Sequence, residues 1–294
     1  MLNAMTIDVE DYFQVSAFEG LAPRHRWHEF ESRVEANTGR LLDIFDDAGV
    51  KGTFFVLGWV AERFPGLVKE IARRGHELAS HSYLHRLVYD TTREAFRDDI
   101  RRSKAIIEAA SGCPVVGYRA PSYSITPRSL WAFDILIEEG YRYDASVFPI
   151  HHDRYGIPPS PREPYVIRRK AGALIEAPGS AVRVGPMNLP VGGGGYFRLL
   201  PYAWTRWGLN RINQDEHRGA IFYLHPWEID ADQPRLPVGV LGGLRHYRNL
   251  GKTELRLRQL LKDFRWAPLQ TMLSGSIERV PDAARLTAAL PYLW

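Results

Sequence analysis

The chain has little of what marks the specialised classes of protein. It holds one cysteine, Cys113, among 294 residues, so no disulfide can form within it, which suits a reducing compartment. Its apolar runs are too short to cross a membrane, and its first residues lack the basic and apolar stretches of a signal peptide. We therefore expect a cytoplasmic protein without an integral membrane segment, any membrane association being made through its substrate.

An excess of charge of one sign is also missing. The formal net charge is +4, and Arg and Lys residues are interspersed with acids apart from short groups such as residues 168–170. This distribution is typical of a solvated surface and argues against a nucleic-acid partner. Internal repeats and low-complexity segments are absent from the sequence too, and the oligomeric state stays open.

The sequence does contain a regular alternation of short apolar segments and helical patterns. Hydrophobic residues make up 45% of the chain, enough for a sizeable core. We predict strands at residues 2–7, 52–57, 77–80, 115–118, 141–145, 174–177 and 220–224, and a closing strand at 269–272. We predict helices at residues 34–48, 65–74, 92–111, 127–139, 202–217 and 253–264. Repeated strand–helix units favour a parallel sheet, as either a barrel or a doubly wound sheet.

Two glycine- or proline-rich stretches are predicted to be irregular. Residues 149–164 are rich in Pro and His and are predicted to form a long loop. Residues 192–195 are four consecutive glycines, predicted as a flexible turn that opens no helix, so we expect no nucleotide site there.

Chemically rich residues follow the predicted strands. In chain order they are Asp8, Glu10 and Asp11, then His81 and His85, then the segment from Arg119 to Tyr123, then Asp144, and finally the segment from His225 to Glu228. The carboxyl ends of parallel strands share one face, and active sites of (β/α) barrels are built there. We therefore expect these residues to converge in one cleft.

His81 and His85 are spaced as metal ligands often are. Side chains four residues apart lie on one face of a helical turn, and two imidazoles plus a carboxylate leave one metal position open for water. In an extended segment, residues two apart point the same way, so Asp8 and Glu10 would face the cleft while Asp11 points away. We predict Glu10 as the carboxylate ligand, with Asp11 as the alternative ligand, or else as a helix N-cap or salt-bridge partner.

Taken together, these motifs resemble the polysaccharide deacetylases of carbohydrate esterase family four, the NodB-homology group. The order agrees: the acidic motif, then His81-Ser82-Tyr83-Leu84-His85, then Arg119-Ala120-Pro121-Ser122-Tyr123, a weaker motif at Asp144, and Leu224-His225. The resemblance implies a distorted (β/α) barrel and a metal-dependent hydrolase that removes N-acetyl groups from amino sugars of a polysaccharide or its precursor. We predict one such domain over residues 1–275 and a tail over residues 276–294. Residues 226–275 resemble a subgroup associated with bacterial exopolysaccharide loci.

The resemblance also implies the roles of single residues. One divalent metal, most readily zinc with cobalt, nickel or iron as alternatives, would bind Glu10, His81 and His85. Asp8 would act as the base, oriented by a bidentate contact from Arg119.

The acid and the substrate site are implied in the same way. His225 would protonate the leaving amine, and a backbone N–H near Ser122 or Tyr123 would hold the oxyanion. The residues expected to line the sugar site are Tyr123, Tyr196, Phe197 and Trp227, with Trp227 as a stacking face, Glu228 as a hydrogen-bond acceptor, and residues 246–248 folding back toward the same cleft.

The chain departs from the family pattern at two motifs. The first motif usually has two adjacent aspartates, and the fourth often has an aspartate and a tryptophan, whereas here Asp144 is followed by Ala145 and Ser146. Support for the base must then come from Arg119 or from another residue. Two other functions stay open: a cyclic-amide hydrolase on the same fold, and a non-catalytic carbohydrate-binding protein. The presence of both His81 and His85 weighs against these two alternative functions.

Overall fold

The computed structural model describes residues 1–277, and within them eleven strands form one large sheet and one hairpin. The strands are β1 (Leu2–Val9), β2 (Thr53–Val56), β3 (Glu77–Ser80), β4 (Gly117–Tyr118), β5 (Tyr143–Asp144), β6 (Tyr165–Arg169), β7 (Gly172–Glu176), β8 (Ala181–Val184), β9 (Met187–Pro190), β10 (Ile221–Leu224) and β11 (Arg265–Ala267). Residues 276–294, predicted to be a tail, lie almost entirely outside the described part.

The large sheet is parallel except at one edge. Its strand order is β10, β1, β2, β3, β4, β5, β7, β6, and β11 pairs with the first residues of β1. All pairs in this sheet are parallel apart from β6 with β7, while β8 and β9 form the separate hairpin. Among the described strands the pairing ends at β6 and β10, so the barrel is an open one.

Helices cover the sheet between its strands. They are α1 (Val34–Asp47), α2 (Gly58–Arg63), α3 (Pro65–Arg73), α4 (Arg93–Ser111), α5 (Ala132–Glu138), α6 (Gly194–Leu199), α7 (Tyr202–Asn210), α8 (Val240–Tyr247), α9 (Leu250–Asp263) and α10 (Leu269–Ile277). In residues 1–277, none of the helices combines the length and apolar character needed to cross a bilayer.

Helix α4 shows how the sequence sets helix ends. The Thr92 hydroxyl accepts the backbone N–H of Ala95 at the first turn, and Gly112 ends the helix with φ of 71°. A hydroxyl N-cap and a left-handed glycine after the last turn are common helix boundaries. Both signals could be read from the sequence, and the predicted helix at 92–111 agrees with α4 within one residue.

The alternation of side chains along β1 separates the core from the site. Met5, Ile7 and Val9 lie in the main apolar core, which packs under the helices. Ala4 lies in a smaller inner cluster, into which Leu269 of α10 also packs. Because side chains alternate along a strand, Asp8 shares this inner side, toward the carboxyl end.

The strand predicted at residues 269–272 is a helix in the structure. Residues 269–272, predicted as a closing strand, begin helix α10, and the strand beside β1 is β11 instead. A short apolar run fits a buried helix as well as a strand. The apolar residues of β11 are Trp266 and Ala267, which precede this run.

The four-glycine segment also differs, because helix α6 begins at Gly194. Gly193 and Gly194 have φ of 116° and 55°, and a Cβ on Gly194 would lie 2.4 Å from the hydroxyl of Tyr223. The glycines are needed so that this segment can pack closely against β10.

Candidate active site

The sheet brings the predicted site residues together at the carboxyl ends of its parallel strands. Asp8 lies on β1, His81 directly follows β3, Arg119 directly follows β4, and His225 directly follows β10. Since β10, β1, β2, β3 and β4 are consecutive and parallel, their carboxyl ends lie side by side. Residues from distant parts of the sequence therefore meet at this edge.

Glu10, His81 and His85 form a compact group of metal-ligand atoms. One atom from each residue lies within 4.8 Å of the other two, and all three side chains are buried. Glu10 Oε2 has no hydrogen-bond partner in the described part of the chain, although His85 Nε2 lies 2.9 Å away. A carboxylate oxygen and two imidazole nitrogens suit a zinc-type site with a fourth position for water. These residues therefore fit one divalent metal.

Hydrogen bonds to the other ring nitrogens support this arrangement. His81 Nδ1 lies 2.8 Å from the carbonyl oxygen of Arg119, and His85 Nδ1 lies 3.5 Å from Ser16 Oγ. A proton on Nδ1 of His81, donated to that carbonyl, leaves Nε2 free to bind a metal.

The two histidines do not lie on a helical turn, so that part of the prediction is wrong. His81 follows β3 in an irregular loop that bends at Ser82 and His85, with φ of 67° and 52°. The carboxylate of Asp99 on α4 accepts two backbone N–H groups of this loop. The loop conformation, rather than a helical repeat, turns both imidazoles toward Glu10.

The pKa values of Glu10 and His81 suit metal binding. Burial alone raises the pKa of Glu10, but the adjacent His85, with His225 and His81, outweighs it, and the pKa falls to about 2. Burial lowers the pKa of His81 to about 4. At neutral pH the carboxyl is therefore ionised and His81 is neutral, which are the forms that bind a metal.

Asp11 lies outside the metal group and accepts hydrogen bonds from the start of helix α1. Its Oδ2 accepts the backbone N–H of Arg33 at 3.0 Å and of Val34 at 3.3 Å, and the Ser32 hydroxyl at 2.6 Å. These contacts tie Asp11 to the first turn of α1 from a distant segment, but the N-cap residue of α1 is Arg33, so Asp11 is not the helix N-cap that was the alternative to a ligand. Glu10 is thus the acid of this segment that reaches the two histidines.

Arg119 holds Asp8 through one N–H group. Arg119 Nη1 donates to Asp8 Oδ1 at 2.7 Å and to Thr6 Oγ1 at 2.8 Å. The predicted bidentate contact is wrong because Arg119 Nε donates to the carbonyl oxygen of Ala145 instead, at 3.3 Å. The guanidinium lies 4.1 Å from the centre of the Phe55 ring, which limits its rotation. Asp8 Oδ2 is left free of Arg119.

Asp144 supports the Arg119 loop and not the base itself. Asp144 Oδ1 accepts the Ser146 hydroxyl at 2.6 Å, and Ser146 Oγ accepts the backbone N–H of Ala120 at 2.7 Å. Burial raises the pKa of Asp144 and, together with repulsion from Asp144, that of Glu176 on β7. Ser146 and Glu176 were not predicted, because contacts between strand ends leave no pattern in the sequence.

His225 lies between two acids, Asp8 and Glu10, on one side and a buried ion pair on the other. Its Nε2 is 3.9 Å from Asp8 Oδ2 and 3.6 Å from Glu10 Oε1, and its Nδ1 donates to Glu228 Oε1 at 2.7 Å. Glu228 Oε2 in turn accepts from Arg198 Nε. Burial lowers the pKa of His225, but Glu228, Glu10 and Asp8 outweigh it, and the pKa rises to about 9. The His225 side chain is 17% exposed, so this cation can still reach a substrate.

Glu228 and Trp227 do not offer the open sugar contacts that were predicted. Glu228 is fully buried and engaged by His225 and Arg198. Trp227 is 4% exposed, and its ring is covered by the stacked rings of His225 and His246, at centroid distances of 5.2 Å and 4.2 Å, and by the guanidinium of Arg198 at 5.1 Å. Residue 246 does fold back toward the site, but by doing so it removes Trp227 as a stacking face.

Ser122 and Tyr123 form a tight turn next to the site. Their φ angles are 52° and 53°, in the left-handed region that is unfavourable for residues with a Cβ. The Tyr123 N–H donates to the carbonyl oxygen of Ala120 at 3.2 Å, and the Ser122 and Ser16 hydroxyls lie 2.8 Å apart. The Tyr123 N–H predicted for the oxyanion is therefore already hydrogen-bonded within the turn.

Four tyrosines from separate segments lie together beside this turn, and we call them the tyrosine cluster. The rings of Tyr123 and Tyr223 are 5.2 Å apart, and Tyr155 lies 5.9 Å from Tyr123. The hydroxyls of Tyr155 and Tyr196 lie 3.4 Å apart, and both side chains are half-buried. Tyr223 also lies 5.7 Å from the His225 ring, so the cluster adjoins the site.

Two family models match successive parts of the chain. Residues 23–142 match the polysaccharide deacetylase model, and residues 145–274 match a model described as a domain of unknown function, DUF3473. The boundary falls inside the continuous sheet, since β5 pairs with both β4 and β7. His225 comes from the second matched segment and both metal-ligand histidines come from the first.

Similar proteins agree with the first of these models. A peptidoglycan-N-acetylglucosamine deacetylase of Bacillus cereus is 34% identical over 96 residues, which are 32% of this chain and 35% of that protein. A chitooligosaccharide deacetylase of Rhizobium leguminosarum is 31% identical over 114 residues, 39% of this chain and 49% of that protein. This chain thus spans between a third and a half of these relatives.

A solved structure extends the likeness to the whole fold. A protein of Mycobacterium smegmatis, provisionally described as a polysaccharide deacetylase, superposes with a TM-score of 0.61 at 22% identity, covering 99% of this chain and 94% of the other. The fold predicted from the motifs, a distorted (β/α) barrel of the polysaccharide deacetylase type, is confirmed. Residues 23–142 match the polysaccharide deacetylase model, and the chain as a whole has the fold of the Mycobacterium smegmatis protein.

Proposed function

We propose that this chain is a metal-dependent hydrolase that removes N-acetyl groups from amino sugars of a polysaccharide or its precursor. One observation carries the proposal: the Glu10, His81 and His85 group lies beside a free carboxylate oxygen of Asp8 and a cationic His225. A metal group, a base and an acid within reach of one another are what amide hydrolysis requires.

Zinc is our first choice of metal, and Glu10, His81 and His85 would hold it. Cobalt, nickel and iron accept the same nitrogen and oxygen ligands. Any of these ions, when bound, would lower the pKa of a water and polarise the acetyl carbonyl.

The acid and base roles follow from the contacts of each side chain. Asp8 takes the proton of the attacking water through Oδ2, because Oδ1 is bonded to Arg119. His225 gives the proton on Nε2 to the leaving amine, while Glu228 keeps Nδ1 protonated and fixes the ring. The carbon–nitrogen bond then breaks with the amine neutral and the acetyl group released as acetate.

The proposed substrate is an N-acetylated oligo- or polysaccharide, as the names of the relatives suggest. Ser122 and the tyrosine cluster, with Tyr123 and Tyr196, would contact the sugar, since phenol rings combine an apolar face with a hydroxyl. An exopolysaccharide is our prediction for the polymer.

The two alternative functions are less well supported. A metal-free cyclic-amide hydrolase has no use for the buried group of Glu10 and two histidines. A non-catalytic sugar-binding protein has no use for a cationic His225 held by buried Glu228 and Arg198.

Elemental analysis and acetate release would test the proposal together. Glu10→Ala should lose the metal and the activity because it removes a ligand, whereas Asp11→Ala should keep a stoichiometric metal and lose mainly stability. Both variants and the wild type would be reconstituted with Zn²⁺ and assayed on N-acetylglucosamine oligomers. A wild type that binds no metal, or a Glu10→Ala protein with a full metal complement, would contradict the proposed site.

The pH dependence of turnover should change in Glu228→Gln. The negative charge of Glu228 favours the His225 cation, so its removal lowers the pKa of His225. The protonated acid is then lost at lower pH, and the alkaline limb of kcat should move to lower pH. Glu216→Gln is a matched control, since Glu216 pairs with Arg162 and Arg218 and does not contact His225. An alkaline limb that stays where it is in Glu228→Gln would remove Glu228 from this role.

A further inference from the structure

We propose that Trp227 is a positioning residue that fixes how Glu10 meets the metal. Trp227 belongs to the segment of residues 145–274, which would give this segment a part in metal affinity. The inference rests on the proposed function, because it presupposes a metal at Glu10, His81 and His85.

The two oxygens of Glu10 have different surroundings. Trp227 Nε1 donates to Glu10 Oε1 at 3.3 Å, whereas Glu10 Oε2 lies 2.9 Å from His85 Nε2 without a hydrogen bond. The indole N–H thus occupies one oxygen and leaves the other as the ligand atom. Hydrogen bonds of this kind to metal-binding carboxylates orient the ligand and raise affinity.

The indole ring is itself held by stacked neighbours. The rings of His225 and His246 are nearly parallel to it, with interplanar angles of 19° and 14°. His246 Nε2 lies 2.8 Å from Gln233 Oε1, and Gln233 Nε2 donates to the carbonyl oxygen of Trp227 at 2.8 Å. Turning the N–H away from Glu10 would therefore break a packed and hydrogen-bonded stack.

The length of the Glu10 side chain explains why a hydrogen bond from Trp227 is useful here. Glu10 has one more rotatable bond than an aspartate would have, and ordering a side chain costs conformational entropy. The Trp227 N–H and burial of Glu10 fix that extra bond before any metal arrives. Preorganisation of this kind improves affinity without adding a ligand.

Metal affinity in Trp227→Phe tests the inference directly. Phenylalanine keeps an aromatic ring in the stack but lacks the N–H, so the Kd for Zn²⁺ should rise about 10- to 100-fold. The Kd would be measured by competition with a chelating indicator, on full-length protein. Bound Co²⁺ should also show a changed visible spectrum, because the carboxylate is free to change its coordination.

Trp266→Phe is the matched control. Trp266 is also buried and its Nε1 donates to the carbonyl oxygen of Leu260 at 3.1 Å, but it pairs beside Asn3 at the opposite end of β1. Its loss should lower stability without changing the Kd for Zn²⁺.

The possible outcomes separate this inference from the proposed function. A wild type without Zn²⁺ binding would overturn both. Zn²⁺ binding that is equally tight in wild type and Trp227→Phe would overturn the inference and leave the function standing. If Trp227→Phe fails to fold, His246→Ala removes one ring stacked on the indole and should also weaken Zn²⁺ binding, and an unchanged Kd there overturns the inference.

Discussion

Replacing Asp8 by Asn should lower kcat about 10²- to 10⁴-fold while the metal content stays close to that of the wild type. The amide cannot take a proton from water, but it keeps the size of Asp8 and leaves Glu10, His81 and His85 unchanged. Acetate release from N-acetylglucosamine oligomers, normalised to measured zinc, gives the effect on the chemical step. Near-normal turnover in this variant would exclude Asp8 as the base.

The buried contact with Arg119 calls for a control in that experiment. Asp8 and Arg119 are both almost fully buried, so removal of one charge also destabilises the fold. Thermal unfolding of each variant separates this loss of stability from the loss of turnover. Asp263→Asn makes the same chemical change at an acid bonded to Tyr202 on the far side of the chain, and its kcat should be normal.

Replacing His225 by Ala should likewise lower kcat about 10²- to 10⁴-fold, with a much smaller change in KM. The proton reaches the amine only as the carbon–nitrogen bond breaks, so its loss affects the transition state more than substrate binding. Added imidazole should restore part of the rate by occupying the vacated space.

A buried histidine elsewhere provides the comparison for His225. His76 is also buried, with Nδ1 accepting the backbone N–H of Gly52, but it packs against Phe45 and Phe54 away from the site. His76→Ala should lose stability and keep its kcat. A His225→Ala enzyme with changed KM alone, or one not improved by imidazole at any concentration, would argue for substrate binding in place of acid catalysis.

The arrangement of strands was largely predictable from the sequence. Apolar runs marked strands that are covered on both faces, and the reactive residues came directly after them. Parallel strands then placed Asp8, His81, Arg119 and His225 at one edge, as the barrel geometry predicts. The alternation of side chains in an extended segment also predicted that Glu10 faces the cleft while Asp11 points away from it, as the structure has them.

Contacts that depend on a partner from another element could not be predicted in this way. The sequence shows that Trp227 and Glu228 follow His225, but not that His246 covers the indole or that Arg198 lies beside Glu228. The loop from His81 to His85 also depends on backbone contacts with Asp99 on α4. A periodic pattern gives the face of an element, whereas the packing partner depends on how the elements are arranged in space.

The central place of β1 has a consequence for how the protein folds during synthesis. β1 is made more than 200 residues before two of its partners, β10, with Ala4 beside Ile221, and β11, with Leu2 beside Arg265. At ordinary rates of translation these partners emerge from the ribosome on the order of tens of seconds later. Until then, an apolar strand has one side unpaired, which slows folding and invites association with other chains. The nascent chain should therefore depend on chaperones that shield β1, and the base and the acid should come together only near the end of folding.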